Sequence, residues 1–346
     1  MPANSVSSRA LNKALAALLA GLAAASSACT FAEENILVAD KAELMSAEQR
    51  QRMAEHHGFL LSDHGIDYRV ITDRGTGDIV AYGVEQFKAM DVGALSGAGR
   101  GLLLVIDAEQ DKVRLEVGLA LEGVFTDAFV AYVEQRQMVP FFRANRVADG
   151  VLATTELIVT RAQDAKRNQA FDAPAGTTGS GGGGATTRAK IGAGSEPAPA
   201  PTGPVAAAGS SPQETLQAYF DAMAGRDTRP DLPIYSVATR RMLMGWVMTP
   251  AQMDNVVRAY RGCRTDRSLA NQSGDRAVIR YRIADRACAP FFFRVEGGRW
   301  RLDLTMMQSA IRFGRSNSWR FADGPPADYA FAFTDWAFDG NGFPKK

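Results

Sequence analysis

The sequence predicts two domains: a three-layer α/β domain on a mixed sheet, then an α+β domain with a curved antiparallel sheet and helices. Three observations predict this. The chain has 346 residues, more than one core ordinarily holds. Hydrophobic residues make up 46% and charged residues 22%, a folding composition. A Gly/Pro/Ala-rich tract divides a stretch of alternating strand and helix signals from one where helices come first and hairpins follow. The expected boundaries are a signal peptide over 1–28, the α/β domain over 33–172, a disordered linker over 173–212 and the α+β domain over 213–346. The formal net charge of +1 excludes a general nucleic-acid binder, yet it hides an asymmetry. Residues 33–165 hold 13 basic and 22 acidic side chains, a net of −9; residues 213–346 hold 20 and 14, a net of +6.

Arg9 and Lys13 precede an uncharged run over 14–25. That run falls short of the roughly 20 apolar residues that span a bilayer, so it reads as a secretory signal. Cleavage after Ala28 exposes Cys29, a lipid-acceptor candidate, although Ser26 stands where the usual pattern has Leu. The expectation is an exported periplasmic protein, either soluble or lipid-anchored to the cell membrane, with no transmembrane helix beyond the signal. Export favours a disulfide between Cys263 and Cys288, the two cysteines that remain.

In the first domain, residues 36–38 open a strand that ends near Asp40. Ser46 with Gln49 forms a capping box for a helix to about 63, stopped by His64-Gly65. A strand over 66–72 and a helix over 81–90 follow. The run GLLLVID over Gly101–Asp107 is apolar until its end, as in a strand buried on both faces. Over 112–117, Val113, Leu115 and Val117 alternate with Arg114 and Glu116, which reads as a hairpin partner with the charged pair outward. Thr126 caps a helix over 127–139 that Pro140 ends, and a last helix covers 148–165.

At these residues the chain resembles the TPM-domain family, over roughly 36–165. The resemblance is carried by Asp40 with Met45-Ser46, the buried strand 102–107, the turn 118–123, Thr126-Asp127 and the Pro-x-Phe-Arg segment 140–143. Two departures stand out: Ala120 replaces the second Gly of the turn, and Phe87 is the nearest counterpart of the usual Trp. The family includes thylakoid-lumen phosphatase-like proteins, photosystem repair factors and a receptor auxiliary protein. The resemblance therefore implies a TPM-like fold and an acid-phosphatase-like activity.

Beyond the tract holding Gly181–Gly184 and four spaced prolines, a helix is predicted over 212–224 and another from Thr249-Pro250 to about 260. Strands are predicted over 277–283, 291–295 and 299–306, with Gly297-Gly298 as a two-residue hairpin turn. This order resembles the nuclear-transport-factor-2-like cone. Arg280, Arg282 and Arg301 fall on the outward parity of their strands. They read either as a solvated face or as a docking face for envelope proteins or an anionic surface. Tyr329, Phe331, Phe333, Trp336 and Phe338 are spaced mostly by two, as in a strand covering an open edge.

The candidate chemistry lies in the acidic domain. Asp40, Asp73 and Asp107 end strands, and ligands bind off the carboxyl ends of strands in open α/β sheets. Asp40, Asp107 and Asp127, the last at a helix start, are the predicted ligands of Ca²⁺ or Mg²⁺, which suit hard oxygen donors. The competing reading of each is a turn or cap residue. Arg143 is a phosphate-binding candidate or the partner of an exposed Glu. Gly97, Gly99 and Gly101 precede a strand, so no phosphate-cradling P-loop forms. His56, His57 and His64 read as a solvated helix end, and a three-His zinc site is disfavoured. Two functions follow: an exported envelope accessory protein binding partners or cations in assembly or quality control, or a weak metal-dependent acid phosphatase.

Overall fold

A computed structural model describes residues 37–174, 177, 184–194, 205–313 and 318–345. The signal-like segment 1–28 and Cys29 lie outside these residues. The chain divides between Glu122 and Gly123 into two compact units. Among the described residues, no helix is long and apolar enough to cross a membrane.

In the first unit, strands β1 (Val38–Asp40), β2 (Asp67–Asp73), β3 (Gly101–Asp107) and β4 (Lys112–Val117) build a mixed sheet. The first three run parallel, and β4 returns antiparallel to β3. Every residue of β3 is buried, as its unbroken apolar run requires. The covers are helices α1 (Ala47–His64) and α2 (Ile79–Ala89). His57 of α1 stacks on Tyr68, with ring centroids 4.3 Å apart. Ile79 of α2 packs with Ile71, Leu103 and Val105. Tyr68 and Ile71 have opposite parity on β2, so the helices lie on opposite faces of the sheet. The predicted three-layer arrangement is present.

Local chemistry sets the ends of α1. Ser46 and Gln49 exchange the two bonds of a capping box. Gly65 takes a left-handed φ of 60°, and its N–H bonds to the Leu61 carbonyl at 2.9 Å. A side chain at that φ is strained, so Gly fits the stop. Two expectations need correction. Arg114 and Glu116 do not face solvent. Both are buried and ion-paired, because their strand face lies under α2. His57 is fully buried against Tyr68 rather than solvated.

The second unit opens with Thr126, whose side chain accepts from the Phe129 N–H at the start of α3 (Asp127–Val133). Pro140 does not end the helical run. A π-helical turn over Glu134–Met138 intervenes, and the run continues through Pro140 into α4 (Val139–Arg143), the local change in bonding pattern falling just before the proline. Helix α5 (Val147–Lys166) follows. Within the Gly/Pro/Ala-rich tract, Gly184–Arg188 forms strand β5 instead of free chain. Thr187 donates from its hydroxyl to Glu134 at 2.8 Å, and Gly192 and Gly194 donate to the Phe142 and Arg143 carbonyls. Composition alone does not show such bonds between distant segments.

The rest of this unit is the predicted α+β arrangement. Helices α6 (Pro212–Ala224), α7 (Val237–Leu243) and α8 (Pro250–Tyr260) precede an antiparallel sheet. Its order is β6 (Thr265–Ala270), β7 (Arg276–Tyr281), β8 (Phe291–Glu296), β9 (Arg299–Leu302). Gly297 and Gly298, with φ of 60° and 71°, make the two-residue turn from β8 to β9. Strand β9 stops earlier than predicted, because Asp303 caps α9 (Leu304–Ala310) through the Met306 N–H. One sheet face carries Ala277, Ile279, Phe291 and Phe293 in a core with Tyr219 and Met223 of α6. The other face carries Val278 and Phe292 under Trp319, Phe321, Tyr329 and Phe333. The aromatic tail is thus no edge strand. Ala327–Phe333 is a 3₁₀ helix laid across a sheet face. Cys263 and Cys288 form a disulfide, with Cα atoms 6.0 Å apart.

Candidate functional site

The parallel strands of the first unit deliver three aspartates to one sheet edge. Asp40 ends β1, Asp73 ends β2 and Asp107 ends β3, with Asp73 and Asp107 paired across the ladder. Position along the strand is shared, but facing is not. Asp40 pairs with Thr72, whose parity is that of Tyr68 under α1; Asp73 and Asp107 have the parity of Ile71 under α2.

Each carboxylate has local partners. Asp40 accepts from the Leu44 and Met45 N–H groups at 3.0 and 2.9 Å and from the Thr72 hydroxyl at 2.5 Å. Arg50 approaches the same carboxylate at 3.7 Å. The loop after β1 is therefore wound around Asp40. Asp107 is fully buried and gathers two loops. It accepts from the Thr76 hydroxyl and N–H at 2.6 and 2.8 Å, and from the N–H groups of Gly75, Glu109 and Gln110. Burial disfavours its charge, but these donors outweigh that and hold its pKa below the ordinary carboxylate value. Each carboxylate is thus bonded to its own loop, and the two point to opposite faces of the sheet, so the fold does not bring Asp40 and Asp107 together. Asp127 belongs to the second unit, at the first position of α3, where a carboxylate suits the helix dipole. Among the described residues no group of three or more His, Cys, Asp or Glu is placed to hold a metal ion.

Asp73 faces solvent more openly and anchors a contact that the sequence reading missed. Its Oδ2 accepts from the Tyr82 hydroxyl at 2.5 Å and from Lys41 Nζ at 3.3 Å. Lys41 Nζ also lies 3.2 Å from the Tyr82 oxygen, closing a triangle. The Lys41 side chain is 51% exposed and that of Asp73 27%. Lys41 follows β1, Asp73 ends β2 and Tyr82 lies on α2, so only the fold brings them together. The available signal was a lysine immediately after a strand end. Burial disfavours the charges on Lys41 and Asp73, yet their mutual bonds and those to Tyr82 raise the lysine pKa and lower the aspartate pKa. Burial and the bond to Asp73 push the Tyr82 phenol up. The three groups of this triangle are therefore shifted away from neutrality, whereas a general acid or base works best near the operating pH. The rim presents fixed charge and hydrogen-bonding groups.

Other predicted site residues lie apart. Arg143 ends α4 and is half-buried. The arginines of the second sheet do not form one open band. Arg280 is buried; it donates from Nε to Asp266 at 2.7 Å and from Nη1 and Nη2 to Asp335 at 2.5 and 2.6 Å. The Arg301 guanidinium donates to the carbonyls of Pro233 and Glu296. Only Arg282 of the three is exposed. Strand parity pointed these side chains away from the first core, but the tail supplies a second one above them.

No curated protein matches the chain. Among solved structures, the solution structure of the N-terminal domain of a protein from P. gingivalis is similar at 28% identity. The match covers 41% of this chain and 91% of that one, with a TM-score of 0.34. The family profile of the TPM domain matches residues 38–161, and the chain carries a TPM domain there.

Proposed function

We propose that the chain is an exported cell-envelope accessory protein whose TPM domain docks partner proteins during assembly or quality control. The observation that carries this reading is the Lys41–Asp73–Tyr82 triangle, an accessible rim of fixed charges with no group poised for proton transfer near neutral pH. Val80 and Val84 lie one turn apart on α2 and are both exposed, on the side of the helix away from Tyr82. The Cys263–Cys288 disulfide supports an oxidising compartment, hence export to the periplasm. Lipid attachment at Cys29 remains part of this reading, and mass spectrometry of the mature protein tests it.

The reading separates cleanly from hydrolysis. Incubated with a chromogenic phosphomonoester and added Mg²⁺ or Ca²⁺, the full chain is expected to give no turnover above buffer. Capture from solubilised envelope proteins is expected to yield discrete partners that Lys41→Glu loses. Turnover abolished by Asp107→Asn, with no partner captured, would replace the accessory role by a phosphatase.

A further inference from the structure

The second unit holds a cavity of about 540 Å³, lined among others by Arg264, Arg267, Arg280, Arg282, Asp335 and Trp336, with Asp266 beside them. That volume lies within the roughly 300–1,000 Å³ of small-ligand sites. Four guanidinium groups face two carboxylates, so the lining is net positive. The backbone forces this concentration of charge. Strand β6 is the edge strand, and a register shift between Thr265 and Arg267 marks a β-bulge at Asp266. The bulge brings Asp266 to Arg280 and sets Arg267 directly opposite Arg280. At the strand end the Arg282 N–H bonds to the Arg264 carbonyl at 3.1 Å, making a second cross-strand arginine pair.

Like charges placed opposite each other destabilise a sheet. The inner pair is compensated: Arg280 is held by Asp266 and Asp335 and stacks over Trp336 at 4.6 Å. The outer groups are not compensated to the same degree. Arg264 reaches Asp285 at 3.6 Å and Arg267 reaches Asp335 at 4.0 Å, and both side chains are more than 60% exposed. Among the described residues, no ion pair or hydrogen bond engages the Arg282 guanidinium, which is also exposed. Local rules broken without compensation mark functional positions. The rim is also braced. Cys263, next to Arg264, is bonded to Cys288, and Asp285 accepts from the Arg264 N–H at 3.0 Å.

We propose that this cavity binds a phosphomonoester group, either on a small soluble molecule or as the headgroup of phosphatidic acid. Arg264, Arg267 and Arg282 would supply the donors, and buried Arg280 would set the positive floor. Phosphate fits better than carboxylate. A phosphomonoester carries close to two negative charges and three acceptor oxygens near neutral pH, which suits a lining of four arginines against two aspartates. The cavity is larger than a bare phosphate and leaves room for the group it is attached to. This inference does not depend on the role of the TPM domain.

The test uses the full chain and the double variant Arg264→Ala/Arg282→Ala, whose changes are at exposed side chains; unchanged circular dichroism and melting confirm folding. Titrations are run with glycerol 3-phosphate and with vesicles containing phosphatidic acid, against phosphatidylcholine vesicles. The expected result is saturable binding of one anionic probe, weakened at least about tenfold in the double variant, as loss of charge-assisted bonds implies. Binding of glycerol 3-phosphate assigns a soluble phosphomonoester, and binding of the anionic vesicles alone assigns a headgroup. No binding of either probe, or equal binding by both proteins, overturns the proposal.

Discussion

His57 shows how much one side chain contributes when its surroundings exclude water. Its ring is fully buried against Tyr68, and burial lowers its pKa to about 3. An unfolded histidine titrates near 6.5. The folded pKa is depressed, so the stability this group contributes is complete above about pH 6.5 and is lost as pH falls toward 3. Denaturant midpoints measured between pH 7 and pH 4 are expected to fall more steeply for the wild-type protein than for His57→Phe. Parallel slopes would contradict the burial. Asp107 acts in the opposite chemical sense, as an acceptor for donors from two loops. Replacing it with Asn turns an amide NH₂ toward N–H groups, and a loss of about 1–3 kcal/mol is expected from urea unfolding. Sequence reading located both residues but not their roles: a histidine on a helix face and an aspartate at a strand end carry no local mark of what packs against them.

At the scale of elements, legibility followed local chemistry. The capping box at Ser46, the Gly65 stop, the hairpin at Gly297-Gly298 and the runs of β3 and β4 were readable because neighbouring residues set them. Elements set by distant contacts were not. Strand β5 depends on Glu134, the π turn before Pro140 has no signature in spacing, and the 3₁₀ tail follows the sheet face it covers. That tail is integral to the second core. Phe333→Ala removes a buried ring packed on Phe292 and Phe321, and a loss of about 3–5 kcal/mol is expected in thermal or denaturant unfolding. A change under 1 kcal/mol would mean that the tail merely rests on the surface. Reducing the Cys263–Cys288 bond, or replacing both cysteines with Ala, is expected to cost about 3 kcal/mol by the loop-entropy account.

For the whole molecule, two kinds of surface emerge. The acidic first unit ends its parallel strands in a satisfied rim whose accessible members are Lys41 and Asp73, with Tyr82 beneath them. The basic second domain concentrates arginine at one end of an edge hairpin. The opposite net charges of the two regions were plain from the sequence, as were the strand-end aspartates. Which of them share a face was not, because facing depends on register, and register needs the partner strand. The most direct test of the docking role is site-specific photo-crosslinking in intact cells. A photoreactive residue replaces exposed Arg74, next to Asp73 of the Lys41–Asp73–Tyr82 rim, and a control replaces exposed Arg299 at the start of β9. The account expects a discrete higher-mass adduct at position 74 that disappears when Lys41→Glu is added. No adduct at position 74, or one equally strong with Lys41→Glu, would contradict it.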